Sequence, residues 1–216
     1  MQLKDKKVVF LGDSITEGVG VSELKYRYTD VFKEISDCEI FVDGISGSRI
    51  APQKDGDMTV RQNQYFISRV PALPSNADFI VVFGGTNDFG HGNVPLGVFG
   101  DKTTDSFYGA MDTLCVSLIK KYPTATIIFM TPLHRLTENN PINEIGLPRK
   151  LLIDYVDAIK KVCAYYSLPV LDLYSISGIQ PSVEIIRQTY MPDGLHPSNA
   201  GAKRIAERLK QFILGL

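Results

Sequence analysis

Five short apolar runs, each stopped by glycine, proline or small polar residues, alternate along this chain with longer stretches at helical spacing. The runs are 8–11, 39–42, 78–83, 125–130 and 169–173. Run 8–11 is continuously apolar, and 78–83 (DFIVVF) nearly so, the pattern of strands buried on both faces in a parallel sheet. Between the runs lie helical stretches. Leu24, Tyr28, Val31, Phe32 and Ile35 give 23–35 an apolar face. Phe107, Met111, Leu114, Leu118 and Ile119 do so for 104–122, and Leu152, Tyr155, Val156, Ile159 and Val162 for 148–166. Further helices are expected at 60–70 and 198–214, with a helical turn at 182–186. Residues 89–103 and 131–148 read as long connections, a length that often marks a functional lid.

Strand and helix in alternation predict the α/β class, as a three-layer α/β/α sandwich, flavodoxin-like, around a five-stranded parallel sheet. At 216 residues the expectation is one domain spanning 1–216. A formal net charge of -1, with no dense Lys/Arg cluster, argues against nucleic acid as a partner. No apolar stretch approaches the roughly 20 residues of a membrane span. The N-terminal apolar run is short and leads straight into the turn at Ser14, whereas a secretory signal needs a longer one. The expected location is therefore cytoplasmic. Cys38, Cys115 and Cys163 form an odd set without CxxC spacing and read as reduced packing residues.

Right-handed crossovers carry all five strand C-termini to one rim, where open α/β sheets bind ligands. Gly12-Asp13-Ser14 follows the first run and Asp43–Ser48, DGISGS, the second. Gly84-Gly85-Thr86-Asn87-Asp88 follows the third, and Asp193-Gly194-Leu195-His196 precedes the last helix. Ser14, at a strand end and near a helix N-terminus, is the candidate nucleophile, and a serine hydroxyl needs a base to take its proton. The chain has three histidines. His91 sits in a glycine-rich connection and His134 in a polar one; both read as surface residues, with a place in a pocket lining as the alternative for either. His196 lies between a DG turn and Pro197, with Asp193 close enough for one turn to aim a carboxylate at its ring. Taken singly, Ser14 reads as a helix cap, Asp193-Gly194 as a plain turn and Asn87 as a loop residue.

Together, in this order, the four blocks resemble the SGNH (GDSL) hydrolase family, from residue 8 to the final helix. The resemblance implies a carboxylic ester hydrolase with a Ser14, His196, Asp193 triad. It further implies an oxyanion hole made of the Ser14 N–H, the Gly47 N–H and the Asn87 side chain. Gly44, which with Gly47 flanks Ile45-Ser46, is an alternative to Gly47. Asp13 reads as a structural brace for the nucleophile turn. The GxSxG elbow of the α/β-hydrolases is missing, so analogies from that fold do not carry over.

The expected activity is hydrolysis of short acyl esters through an acyl-enzyme, on a small-molecule ester, with an acetylated sugar first and a lysophospholipid or thioester as alternatives. Phe89, Pro95, Leu96, Val98 and Phe99 are expected to close over the rim. No cofactor and no metal are implied. One rival reading is a phosphoesterase with metals on Asp13, Asn87, Asp88 and His196, which would need more histidines. The other is a flavodoxin-like module that binds a ligand at the same rim without chemistry.

Overall fold

A computed structural model of the protein describes residues 3–53 and 64–216. Its five strands are β1 (Lys7–Gly12), β2 (Glu39–Gly44), β3 (Phe79–Phe83), β4 (Thr126–Met130) and β5 (Val170–Leu171). They form one parallel sheet in the order β2-β1-β3-β4-β5. Alternate residues face opposite layers, as the period of a strand requires. Val9, Leu11, Ile80, Val82, Ile127 and Phe129 pack against α5 (Phe107–Lys121) and α6 (Leu152–Tyr165). Val8, Phe10, Val81, Phe83, Ile128 and Met130 pack against α2 (Tyr28–Ser36) and α9 (Asn199–Leu214). The expected three-layer sandwich is therefore present. Among the described residues no helix is long and apolar enough to cross a membrane.

β1 has β2 on one side and β3 on the other, so the chain reverses its direction of travel across the sheet beside β1. Such a switch point opens a crevice at the strand C-termini. Gly12 stands there in register with Gly44 of β2 and Phe83 of β3. It is followed at once by α1 (Ser14–Glu17). A Cβ on Gly12 would lie 2.0 Å from Thr16 Oγ1, and one on Gly44 2.3 Å from Glu17 N. Both glycines thus let α1 sit directly on the strand ends.

Several elements differ from the sequence reading. The helix expected over 23–35 is broken: a 3-10 turn (Leu24–Tyr26) precedes α2, with Arg27 in an extended conformation between them. That break leaves Leu24 61 % exposed and swings Tyr28 into the core, where its hydroxyl meets Thr16 Oγ1 at 3.0 Å. Of the helix expected at 60–70, residues 60–63 lie outside the described residues. The remainder is α3 (Phe66–Arg69) running into a 3-10 turn (Val70–Ala72) that includes Pro71.

The fifth strand is only two residues long. Asp172 ends it by accepting from Ser175 N–H and opening α7 (Leu173–Ile176). The turn expected at 182–186 is the longer α8 (Glu184–Tyr190). The stretch 86–91, read as loop, is a helix, α4 (Thr86–His91). Cys38, Cys115 and Cys163 are buried and unbridged.

Candidate active site

Asp13 caps α1, its Oδ1 accepting from Ile15 N–H at 3.0 Å. This fixes Ser14 as the first helical residue, at the end where peptide N–H groups favour negative charge. Full burial pushes the Asp13 carboxyl up to about 7, against the opposing pull of the Ile15 N–H and Arg69. Gly18 closes the short helix in the left-handed conformation, φ 106°.

On the far side of the crevice Ser198 caps α9, and the preceding turn carries Asp193 and His196. Asp193 Oδ1 accepts from the backbone N–H of Leu195 (2.9 Å) and of His196 (2.7 Å), while Oδ2 lies 2.7 Å from His196 Nδ1. Gly194 supplies the positive φ of 78° that the turn needs. Partial burial works against the charged carboxylate. The hydrogen bonds from His196 and Leu195 outweigh it and hold Asp193 below the usual carboxylate range. With the proton on Nδ1, His196 Nε2 is an acceptor, and Ser14 Oγ stands 3.0 Å from it. Close passage of the chain beside the imidazole depends on Gly20: a Cβ there would lie 2.8 Å from His196 Cβ and 2.7 Å from Pro197 O.

Gly47 occupies the left-handed position (φ 77°) of a turn closed by Ser48 N–H donating to Ile45 O at 3.1 Å. Glu17 of α1 holds that turn by accepting from Ser46 N–H at 2.6 Å. Among the described residues no acceptor is bonded to the N–H of either Ser14 or Gly47. Asn87 Nδ2 donates to Ser48 O at 3.0 Å, and Asn87 Oδ1 lies 3.2 Å from His91 Nε2. The segments bearing Ser14, Gly47 and Asn87 are thereby stitched together. Gly44, the alternative to Gly47, lies under the α1 backbone at the end of β2.

Sequence reasoning missed the residues that do this stitching. Arg69 is buried, which draws its pKa down. It donates to Asp43 O and Oδ1, to Gly12 O and to Ser48 Oγ, at 2.9–3.1 Å. It thus ties the ends of β1 and β2 to the Gly47 loop. Asp88 accepts from Ile50 N–H (3.0 Å) and Ala51 N–H (2.9 Å), and burial raises it to about 6. With both carboxylate oxygens on backbone amides, Asp88 braces the loop after Gly47. Among the described residues no three His, Cys, Asp or Glu side chains assemble as a metal-binding group.

His91 and His134 are half-buried and engaged by neighbours. His91 bridges Asn87 and Arg49. His134 Nδ1 donates to Glu138 Oε2 at 2.7 Å, and the ring stacks on Tyr174 with ring centroids 3.8 Å apart. The apolar side chains of 89–103 do not all close over the rim. Phe89 is fully buried between Tyr155 and the Arg149 guanidinium, and Phe99 packs on Tyr108 and Tyr165 over α5 and α6. The two long connections meet around a cavity of about 640 Å³ lined by Val94, Pro95, Leu96, Leu147, Arg149 and Tyr155, among others.

A serine at the switch point of such a sheet, with an imidazole against its hydroxyl, puts the protein among ester-hydrolysing enzymes of the SGNH class. More narrowly, it belongs to the GDSL-like lipase/acylhydrolase family, whose sequence profile matches residues 10–204. It is similar to a protein of known structure from Lactobacillus plantarum, at 32 % identity over 99 % of both chains with a TM-score of 0.84. The fold alone is shared with a lipase/acylhydrolase from Enterococcus faecalis (20 % identity, 97 % and 96 % of the two chains, TM-score 0.68). The same holds for a two-domain esterase active on acetylated mannans (19 % identity, 98 % of this chain and 49 % of that one, TM-score 0.65). No curated protein matches the chain.

Proposed function

We propose that the protein is a serine esterase for short-chain acyl esters, working as a single domain through a Ser14, His196, Asp193 triad and a covalent acyl-enzyme. The observation that carries this reading is the unbroken line Asp193 Oδ2, His196 Nδ1, His196 Nε2, Ser14 Oγ, with steps of 2.7 and 3.0 Å. Asp193 fixes the tautomer that leaves Nε2 unprotonated, and its charge stabilises the imidazolium formed during reaction.

Ser14 Oγ attacks the ester carbonyl as its proton passes to His196 Nε2. The carbonyl oxygen becomes an oxyanion, for which the Ser14 N–H, the Gly47 N–H and the second N–H of Asn87 Nδ2 are the donors. As the tetrahedral species collapses, His196 returns the proton to the departing alcohol. A water, deprotonated by the same imidazole, then attacks the acyl carbonyl; the bond from that carbon to Ser14 Oγ breaks, His196 returns the proton to Ser14 Oγ, and the acid leaves. Apart from the substrate and that water, every group in this scheme belongs to the chain, and the scheme calls for no cofactor.

Short acyl groups, among them the acetyl groups of O-acetylated carbohydrate, are favoured because Phe89 and Phe99 are committed to packing elsewhere. Each methylene that finds apolar cover adds about 0.8 kcal/mol of binding; one that finds none adds nothing. A series of p-nitrophenyl esters, with acetylated sugars beside it, tests this. kcat/KM is expected to peak between acetyl and butyryl, and efficiency still rising at decanoate would overturn the short-chain reading.

A further inference from the structure

We propose that Arg49 and His91 are positioning residues that fix which end of the Asn87 amide faces the reacting carbonyl. The inference rests on reading Asn87 as an oxyanion donor. An amide is useful there only if its NH₂ end points at the substrate, and both ends of Asn87 are close to the same shape. Something must set the orientation.

Asn87 and His91 stand one helical turn apart on α4, so their side chains are neighbours. A guanidinium can only donate hydrogen bonds. Arg49 Nη1 is 3.0 Å from His91 Nδ1, which makes Nδ1 the acceptor. The ring proton is then on Nε2, and Nε2 donates to Asn87 Oδ1 across 3.2 Å. The oxygen end of the amide is thereby held on the histidine side.

The nitrogen end donates to Ser48 O at 3.0 Å, leaving its second N–H for the substrate. Flipping the amide would set Oδ1 against the Ser48 carbonyl and Nδ2 against the His91 N–H, acceptor on acceptor and donor on donor. Each such pairing leaves a buried polar group unsatisfied.

The relay needs a neutral ring, and its surroundings keep it so. Burial lowers His91 to about 4, the positive charges of Arg49 and Arg135 acting the same way and Glu144 opposing them. Arg49 is itself anchored. The same Nη1 donates to the His91 carbonyl at 3.3 Å, and the Asp88 carboxylate supports its charge. It also directly follows Ser48, so one segment supplies both contacts that orient Asn87.

The test compares His91→Gln with His91→Glu, two side chains of one size. Glutamine can accept from Arg49 and still donate to Asn87 Oδ1. Glutamate pairs with Arg49 but cannot donate, so it draws the NH₂ end of Asn87 toward itself. At pH 8 on p-nitrophenyl acetate, His91→Gln is expected to keep kcat within about threefold, while His91→Glu loses about 10-fold or more with KM nearly unchanged. His91→Leu, which leaves only Ser48 O to orient the amide, should fall between the two. In an Asn87→Ala background neither His91→Glu nor His91→Leu should lower kcat further, because the amide they misdirect is gone.

Equal kcat in the Gln and Glu variants would overturn the proposal. So would a loss in His91→Glu that recurs at the same factor in the Asn87→Ala background, since that marks a general structural role. If Asn87→Ala alone retained its kcat, the oxyanion reading of Asn87 would be at fault instead.

Discussion

Ser14 Oγ and His196 Nε2 stand 3.0 Å apart although 182 positions separate them in the chain. Two helix starts make the encounter possible: Asp13 caps one and Ser198 the other. On the proposed mechanism the two act as nucleophile and base, and such a pair works as a unit, so losing either costs about as much as losing both. Ser14→Ala and His196→Ala are each expected to lower kcat on p-nitrophenyl acetate by about 10⁴–10⁶-fold while the protein stays folded. A Ser14→Ala enzyme with a tenth of wild-type turnover would refute the triad.

Asp193 differs from its partners in being half-open to water, its side chain 55 % exposed against 18 % for His196. Solvent screens the carboxylate, and the His196 backbone N–H bond to Oδ1 vanishes with it in Asp193→Ala. A smaller loss than for Ser14 is expected, about 10²–10⁴-fold in kcat. Rate against pH gives a second check. The imidazole must be neutral to accept the Ser14 proton, so kcat/KM should fall on the acid side with a slope of one proton. Asp193, already held below the usual carboxylate range, stays ionised through that fall. A rate independent of pH down to 4.5 would exclude a histidine base.

Asn87 is expected to act on the transition state alone. Its second amide N–H gains most when the carbonyl oxygen becomes charged, and little in the ground state. Asn87→Ala should lower kcat by about 10²–10³-fold, or roughly 2.7–4 kcal/mol, with KM nearly constant. Asn87→Asp should be worse, because a carboxylate repels the developing charge. A raised KM at constant kcat would make Asn87 a binding residue.

The residues that were legible in the sequence are those whose role follows from neighbours in the chain. Ser14 stands out because a buried strand halts at glycine beside it, and Asp193 with His196 because three residues of one turn suffice to join them. The strands were legible for the same local reason. Arg69 was not, since it works on Gly12 O and Asp43 O, carbonyls 57 and 26 residues away that any sequence would provide. Arg49 and His91 likewise meet only because α4 exists, and Gly85 and Gly90 disguise that helix. The break before α2 was hidden because Leu24 reads as part of an apolar face. It is the Tyr28 to Thr16 bond and the core that decide where the helix begins.

Asp13 links the site to stability. Burial lifts its carboxyl to about 7, so the folded protein holds a proton there that the unfolded chain, with an ordinary value of 3.8, has already released. Stability from this group is fully present below pH 3.8 and is lost as pH rises through about 7, because the folded state binds more protons across that window. Asp13→Asn cannot titrate, and its Oδ1 can still accept from Ile15 N–H. Its amide brings a cost of its own, but one independent of pH. Asp88, buried nearby and raised to about 6, titrates in both proteins and largely cancels from the difference. The unfolding free energy of the variant minus that of the wild type should therefore rise between pH 4.5 and 8, by about 1–3 kcal/mol. Urea titrations of the two proteins at a series of pH values measure it. A difference that stays flat across that range would mean the Asp13 carboxyl is ionised in the folded protein throughout.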